Sequence, residues 1–222
     1  MKIQKNILIF LLSIIFIYIN HQSVYALNNN NVDLEILQEM GGSVQEYGIR
    51  VVVTKCEKNQ DEVIEKFERT LGMKKEIKSN DGIININFQF TNGYIEFTKE
   101  NQGTVIMDIT ERKSYNDMTK LKSTLECEFK KFDFKIYYYI KAEIDNNDIN
   151  KYKDEAENII KKYALEDVNV EKLSSGYFLS ANLGSNMGIK SGNKIIDFNC
   201  DIFKYSSGTY LIIGVPINYI NF

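Results

Sequence analysis

Histidine is almost absent from this 222-residue sequence: the only one is His21. It lies in an N-terminal segment, residues 1–26, that is typical of a secretory signal peptide. If this segment is removed, the remaining chain contains no imidazole. Serine–histidine–aspartate catalysis, cysteine–histidine catalysis and histidine-ligated zinc or iron sites are then excluded.

The signal-peptide prediction rests on three features in the expected order. Lys2 and Lys5 give a positive start, residues 7–19 form an apolar run, and Ala26 ends a compact site suited to cleavage. Spanning a bilayer takes about 20 apolar residues, and this run is shorter, so an uncleaved membrane anchor is the weaker interpretation. We therefore expect an exported protein, secreted or held in the cell envelope, with residues 27–222 as the mature chain and no further membrane span.

Cysteine is scarce as well, with only Cys56, Cys127 and Cys200. Their spacing matches no metal-binding or CxxC motif, and an odd count leaves at least one thiol outside any disulfide. We expect Cys127 on an exposed helix face and Cys200 in the core. A disulfide between Cys56 and Cys127 is the less favoured alternative to three cysteines that form none.

The sequence also lacks an excess of basic residues. Its formal net charge is −3, and removal of Lys2 and Lys5 with the signal peptide makes it −5. This balance does not favour nucleic acid or an anionic membrane surface as a partner.

The glycine-bearing stretch 184–192 lacks both the Lys-Ser/Thr pair of a P-loop and the spacing of a dinucleotide fingerprint. No catalytic residue, cofactor site or metal site is predicted.

Hydrophobic periodicity divides the mature chain into strands and helices. Residues 27–44 are predicted as a polar tether and a short helix, and residues 195–205 as a single strand. A strand–helix–strands unit covers 45–133 and a second covers 134–222, in the order that a structural duplication would give. Antiparallel strands with segregated helices predict the α+β class. The helices are expected on one face of the sheet, which leaves the other face open.

Four features occur together: the signal peptide, the short helix before Gly41-Gly42, the duplicated element order, and the ending GTYLIIGVPI at residues 208–217. In these features the chain resembles the YwmB family of exported Gram-positive proteins, over nearly all of the mature chain. The resemblance implies a TATA-box-binding-protein-like fold of two tandem strand–helix–antiparallel-sheet repeats. It also implies a Firmicute envelope protein, linked by gene neighbourhood to cell-wall and sporulation genes and without an established activity or catalytic motif.

Polar side chains are predicted on the sheet face that the helices leave open. Amides and hydroxyls would offer hydrogen bonds there, and tyrosine would offer a flat apolar ring. The candidate binding residues are Asn85, Asn87, Gln89, Tyr94, Thr104, Tyr137, Tyr139 and Asn182. The competing interpretation is a solvated face without a ligand, since a chain rich in Asn, Ile and Lys collects asparagine there in any case. The face is not strongly basic and export separates it from the chromosome, so DNA binding is not expected.

These observations predict an exported, non-enzymatic envelope protein that binds peptidoglycan, other cell-wall material or another envelope protein through this face. A structural role in a sporulation assembly is one alternative. A carboxylate-based hydrolase of wall glycan is another, with Glu96, Asp108, Asp197 and Asp201 as its candidate residues. Two carboxyl groups within about 10 Å of each other in a concave pocket would favour the hydrolase.

Overall fold

The structure is a computed structural model that describes the chain in ten segments. They are residues 32–56, 60–71, 78–80, 83–85, 88–90, 93–100, 103–112, 115–145, 148–185 and 187–215. Between residues 78 and 100 it describes the strands without their side chains. The predicted signal peptide and the candidate residue Asn87 lie outside the described residues.

Four helices are described, with bounds α1 32–39, α2 Gln60–Leu71, α3 Tyr115–Phe129 and α4 Ile149–Lys161. Their local sequence explains where they start and which face they bury. Asp148 caps α4, because its carboxylate accepts a hydrogen bond from the backbone N–H of Asn150. In α2, Val63, Ile64 and Phe67 recur at helical spacing and are buried. None of the described helices is both long and apolar enough to cross a membrane.

Thirteen strands are described within the same segments. Their bounds are β1 Ser43–Thr54, β2 Lys78–Asn80, β3 Ile83–Asn85, β4 Phe88–Phe90, β5 Gly93–Glu100, β6 Thr104–Glu111, β7 Asp133–Ile144, β8 Asn169–Leu173, β9 Gly176–Ala181, β10 Ile189–Ser191, β11 Lys194–Ile196, β12 Phe198–Tyr205 and β13 Gly208–Val215.

Nine of the described strands form one large antiparallel sheet in the order β4-β5-β6-β1-β7-β13-β12-β9-β8. The two longest strands, β1 and β7, lie side by side, with Ile49 opposite Tyr138. β6 flanks β1 on one side and β13 flanks β7 on the other. The pairs β2–β3 and β10–β11 form two small separate sheets. The predicted α+β class, with a large antiparallel sheet, is confirmed.

Among the described residues, the main hydrophobic core lies between the helices and one face of the nine-stranded sheet. Alternate residues of β1 are buried in it, among them Ile49, Val51 and Val53. Phe67 of α2 and Phe129 of α3 are both fully buried and stack with their ring centroids 3.9 Å apart. Residues from both predicted halves of the chain contribute to this core.

The short helix α1 belongs to the core. Val32, Ile36, Leu37 and Met40 are buried along one stripe. A second attachment comes from Glu35, whose carboxylate binds the ammonium of Lys162 at 2.6 Å and accepts a hydrogen bond from the Tyr163 hydroxyl. The region predicted as a tether and short helix is therefore fixed from residue 32 onwards.

The prediction of one strand over residues 195–205 was wrong. The structure divides it at Asp197 into β11, which pairs with β10, and β12, which joins the large sheet. The Asp197 carboxylate accepts hydrogen bonds from the backbone N–H groups of Leu183 and Ser185. These two bonds fix the preceding loop, and Asp197 lies between the two strands rather than in either of them. Apolar periodicity does not reveal such hydrogen bonds.

The three cysteines form no disulfide; Cys127 is exposed, whereas Cys56 and Cys200 are buried. Burial also raises the pKa of the Cys200 thiol well above its usual value, which disfavours the reactive thiolate. We expect one thiol per chain to react with a thiol-specific reagent in the native protein and three after denaturation. Replacement of Cys127 with serine should abolish the native reaction, and persistence of that reaction would contradict the buried positions of the other two.

Candidate functional site

The face of the large sheet opposite the core carries no described helix, and we call it the helix-free face. Strand alternation shows which residues lie on this face, because the residues next to a core residue in the same strand point away from the core. On β1 these include Arg50, between the core residues Ile49 and Val51, and on β7 they include Tyr137 and Tyr139. A small separate cluster of Tyr139, Ile212 and Phe203 lies on this face.

The structure does not bring the seven described members of the predicted binding set into one site. Asn85 lies on β3, in a separate two-stranded sheet, whereas Gln89 and Tyr94 are direct cross-strand neighbours on β4 and β5. Thr104, at the start of β6, lies six residues from the partner of Tyr94 on that strand, or about 20 Å along it. Alternation predicts the face that a side chain occupies but not its position along the strand.

Of the remaining three predicted residues, Tyr137 and Tyr139 lie on β7 and Asn182 lies just after β9. Tyr137 and Tyr139 are buried, with 6% and 4% of their surface exposed. Tyr139 lies over Gly48, which has no side chain to obstruct it, and donates a hydrogen bond to Glu46 at 2.7 Å. Asn182 follows β9, where its side chain accepts a hydrogen bond from the backbone N–H of Gly184. Neither tyrosine therefore offers an open ring face, contrary to the expectation of an open surface.

One charged pair lies on the helix-free face between neighbouring strands. Arg50 on β1 and Asp108 on β6 are directly opposite in register. The guanidinium donates two hydrogen bonds to the carboxylate, at 2.6 and 2.8 Å. Such two-point pairing is strong and directional. It joins β1 to β6 and occupies both carboxylate oxygens of Asp108.

An aromatic cluster, formed by Phe203, Tyr205 and Tyr210, occupies one corner of the helix-free face. The Tyr205 ring lies 5.9 Å from Phe203 and 6.0 Å from Tyr210, centroid to centroid. Tyr205 has 51% of its surface exposed. The ammonium of Lys141 lies 5.2 Å from the Tyr210 ring centroid, within cation–π range. The cluster combines accessible aromatic surface with a positive charge at its edge.

Sequence analysis missed this aromatic cluster, although the sequence carries its signal. Phe203 and Tyr205 alternate on β12, and the turn at residues 206–207 returns the chain so that Tyr210 lies opposite Phe203. Apolar periodicity identifies this strand by its core residues, Cys200 and Ile202. It does not indicate which aromatic side chains meet on the other face.

Three buried polar side chains lie behind the cluster, towards the middle of the same face. Asn199 and Ser180 are opposite each other on β12 and β9, and Asp201 follows on β12. No hydrogen bond from the described residues reaches the Asn199 amide, the Ser180 hydroxyl or Oδ1 of Asp201. Burial raises the pKa of Asp201 to about 7, because desolvation penalises the charged carboxylate.

Among the carboxylates named for a hydrolase, the three whose side chains are described do not form the required pair. Asp108 is bound to Arg50, and Asp197 holds a loop backbone. Asp201 lies on β12, four strand positions from β6, or about 19 Å from Asp108 at ordinary strand spacing. Glu96 lies directly opposite Asp108 in the β5–β6 register, but its side chain is outside the description. The three described carboxylates therefore lack the close, cleft-bound arrangement of a glycosidase.

Within the described part of the chain, no group of three or more His, Cys, Asp or Glu side chains is placed to hold a metal ion. The chain matches no protein-family model and no curated protein.

Proposed function

We propose that this chain is an exported, non-enzymatic protein of the cell envelope that binds cell-wall glycan through the aromatic cluster. The observation that carries the proposal is the exposed Tyr205 ring, which is flanked by Phe203 and Tyr210. A sugar ring has apolar C–H faces and hydroxyl edges. Tyrosines suit such a ligand, because each combines a flat apolar ring with a hydroxyl.

Lys141 adds a polar contact at the edge of the cluster. Its ammonium lies beside Tyr210 and carries three hydrogen-bond donors. Donors placed around an aromatic plate would bind the hydroxyl and carboxylate oxygens of a wall polymer. A compact exposed aromatic group of this kind also suits a partner protein, so the binding experiment must distinguish these two ligands.

The proposal also includes the family of the chain and the repeat structure of its fold. We propose a YwmB-like protein in which residues 45–133 and 134–222 are two repeats of a TATA-box-binding-protein-like fold. The strand order supports this: each proposed repeat has its first strand, β1 or β7, paired with its last strand, β6 or β13. DNA binding is not part of the proposal, because the negative net charge opposes phosphate contacts.

The proposal is tested by sedimentation of the purified protein with insoluble peptidoglycan. The double variant Tyr205→Ala/Tyr210→Ala should bind at least about tenfold less, since loss of each stacked aromatic removes on the order of 1 kcal/mol or more. Leu165→Ala is the matched control, because Leu165 is as exposed as Tyr205. It lies after α4 beside Asn182, at the end of the β9–β12 pair that is far from Tyr205. The control should bind like the unaltered chain.

Two outcomes would overturn the glycan proposal. Unaltered protein that stays in the supernatant would show that the wall polymer is not the ligand. Equal sedimentation of the double variant and the control would show that the aromatic cluster is not the binding surface. Capture of one envelope protein by the unaltered chain, lost in the double variant, would replace the glycan with a protein partner.

A further inference from the structure

A small cavity lies on the core side of the large sheet, between α1, α3 and the middle of β7. Its volume is about 160 Å³, and Asp33, Tyr115, Lys122, Ser123, Glu126 and Tyr138 line it. Ser123 and Glu126 are exposed, whereas Asp33 and Tyr138 are buried, so the cavity runs inward from the surface of α3. Tyr138 points to the opposite side of the sheet from Tyr137 and Tyr139, which separates this cavity from the helix-free face.

Asp33 provides the inner wall of the cavity. Only 2% of its surface is exposed. Its Oδ2 accepts a hydrogen bond of 2.6 Å from the Tyr138 hydroxyl, whereas its Oδ1 has no hydrogen-bond partner in the described structure. A buried carboxylate oxygen without a donor costs free energy. A ligand that brings a donor, and preferably a positive charge, to Oδ1 would remove that cost.

Lys122 provides the positive group of the same cavity. Its ammonium lies 4.5 Å from the Tyr138 ring centroid, within cation–π range. Its only ion pair in the described structure is with Glu126 on the same helix, at 3.9 Å. That distance exceeds the length of a hydrogen bond. The ammonium therefore has donors to offer a second anion.

We propose that this cavity binds a small α-amino acid in its zwitterionic form. Oδ1 of Asp33 is closed to solvent, so the carboxylate would turn slightly towards the cavity to accept a hydrogen bond from the ligand's ammonium. The ligand's carboxylate would accept from Lys122. Size limits the side chain: an apolar cavity of about 150 Å³ holds benzene, a molecule of six heavy atoms. Alanine also has six heavy atoms. The inference is independent of the glycan proposal, because it concerns another site on the other side of the sheet.

The two charges of the cavity favour a zwitterion over a simple ion. An alkylammonium ion would satisfy Asp33 but leave Lys122 with its weak pair. A carboxylate alone would satisfy Lys122 but leave Oδ1 of Asp33 without a donor. Burial raises the pKa of Asp33 to about 6, so the carboxylate is largely ionised above that pH. A bound ammonium group would stabilise the ionised form further.

The test is a calorimetric titration of the full chain at pH 7.5 with alanine, ethylammonium chloride and sodium propionate. The two salts each reproduce one charged half of alanine at similar size. We expect alanine to bind at least tenfold more tightly than either salt. Equal affinity of alanine and ethylammonium would overturn the role of Lys122, and absence of alanine binding would overturn the proposal.

Two variants and a matched control locate the site. Asp33→Asn and Lys122→Met should each weaken alanine binding at least tenfold. Lys66→Met is the control: Lys66 also lies near an aromatic ring, pairs with a glutamate and has a similarly exposed side chain. It should leave binding unchanged. Because Lys122 is partly exposed, Lys122→Met is expected to fold. It therefore tests the site even if Asp33→Asn fails to fold. Alanine binding that survives Lys122→Met would refute the assignment.

Acidification supplies a readout that structural damage would not reproduce. The groups around Asp33 that carry or exchange charge are Tyr138, Lys122, Tyr115 and Glu126 in the cavity, and the buried Cys200 thiol on β12. Tyr138 and Lys122 both favour the ionised carboxylate, and burial opposes it more strongly. Alanine binding should therefore weaken as the pH falls below about 6. Binding that stays constant between pH 7.5 and pH 5 would contradict an ammonium–Asp33 contact.

Discussion

Replacement of Phe129 with alanine is expected to lower the free energy of unfolding by about 4 kcal/mol. The side chain is fully buried and joins two helices, because its ring stacks on Phe67 of α2 and also contacts Phe132 after α3. Its removal would leave a cavity and break an aromatic pair worth about 1 kcal/mol. A typical domain is stable by only about 5–15 kcal/mol, so the loss is a large part of the total.

Chemical denaturation monitored by circular dichroism measures this effect, with Phe132→Ala as the control. Phe132 touches Phe129 but is only partly buried, so its replacement should cost clearly less. A loss below about 1.5 kcal/mol for Phe129→Ala would mean that the α2–α3 contact is loosely packed. An equal loss in the free energy of unfolding for Phe129→Ala and Phe132→Ala would also mean that the α2–α3 contact is loosely packed.

Replacement of Asp201 with asparagine is expected to stabilise the protein at pH 8, by about 4 kcal/mol. Asp201 is buried, its Oδ1 has no hydrogen bond from the described residues, and desolvation raises its pKa from 3.8 to about 7. At pH 8 the folded protein must hold a buried charge that the unfolded chain exposes to water. The amide has nearly the same shape and carries no charge.

The sign of the effect depends on pH. Between pH 4 and pH 7 the unfolded carboxylate is ionised while the folded one still holds its proton. Unfolding then releases a proton, so this group makes stability fall as pH rises through that range. The gain from Asp201→Asn should accordingly be absent at pH 4 and complete above pH 7.

Paired denaturation curves of the unaltered chain and Asp201→Asn at pH 4, 6 and 8 measure this gain. The difference between the two proteins isolates Asp201, because the other titrating groups are common to both. A difference that does not change with pH would contradict the buried, ionisable carboxylate. Asp108→Asn is the opposing control: it removes the charge that pairs with Arg50 and should destabilise at pH 8.

Much of the fold was predictable because apolar residues repeat with the period of each element. The alternation of Ile49, Val51 and Val53 predicts a half-buried strand, and it is one. The spacing of Val63, Ile64 and Phe67 predicts the helix that buries them. The division at Asp197 was not predictable in this way, because it comes from hydrogen bonds to a loop more than ten residues away.

The candidate sites were harder to predict, because strand alternation does not say which residues meet or which stay exposed. The burial of Tyr139 depends on Gly48, a neighbour only through the pairing of β1 with β7. Asp33 and Tyr138 are 105 residues apart in sequence and meet in the core. One local signal was present: Asp33 shares a helical stripe with Ile36, Leu37 and Met40, a position where a carboxylate is rarely buried without a reason.

The pairing of β1 with β7 has a consequence for how the chain stays soluble while it folds. Each strand is twelve residues long, and each uses one edge for its own half and the other edge for the opposite half. Until the two strands meet, each half presents a long row of unsatisfied backbone N–H and C=O groups, the kind of edge on which aggregation begins. The pairing of β1 with β7 therefore covers one exposed edge of each half. If synthesis stops after β1 and before β7, that edge of the first half stays unpaired.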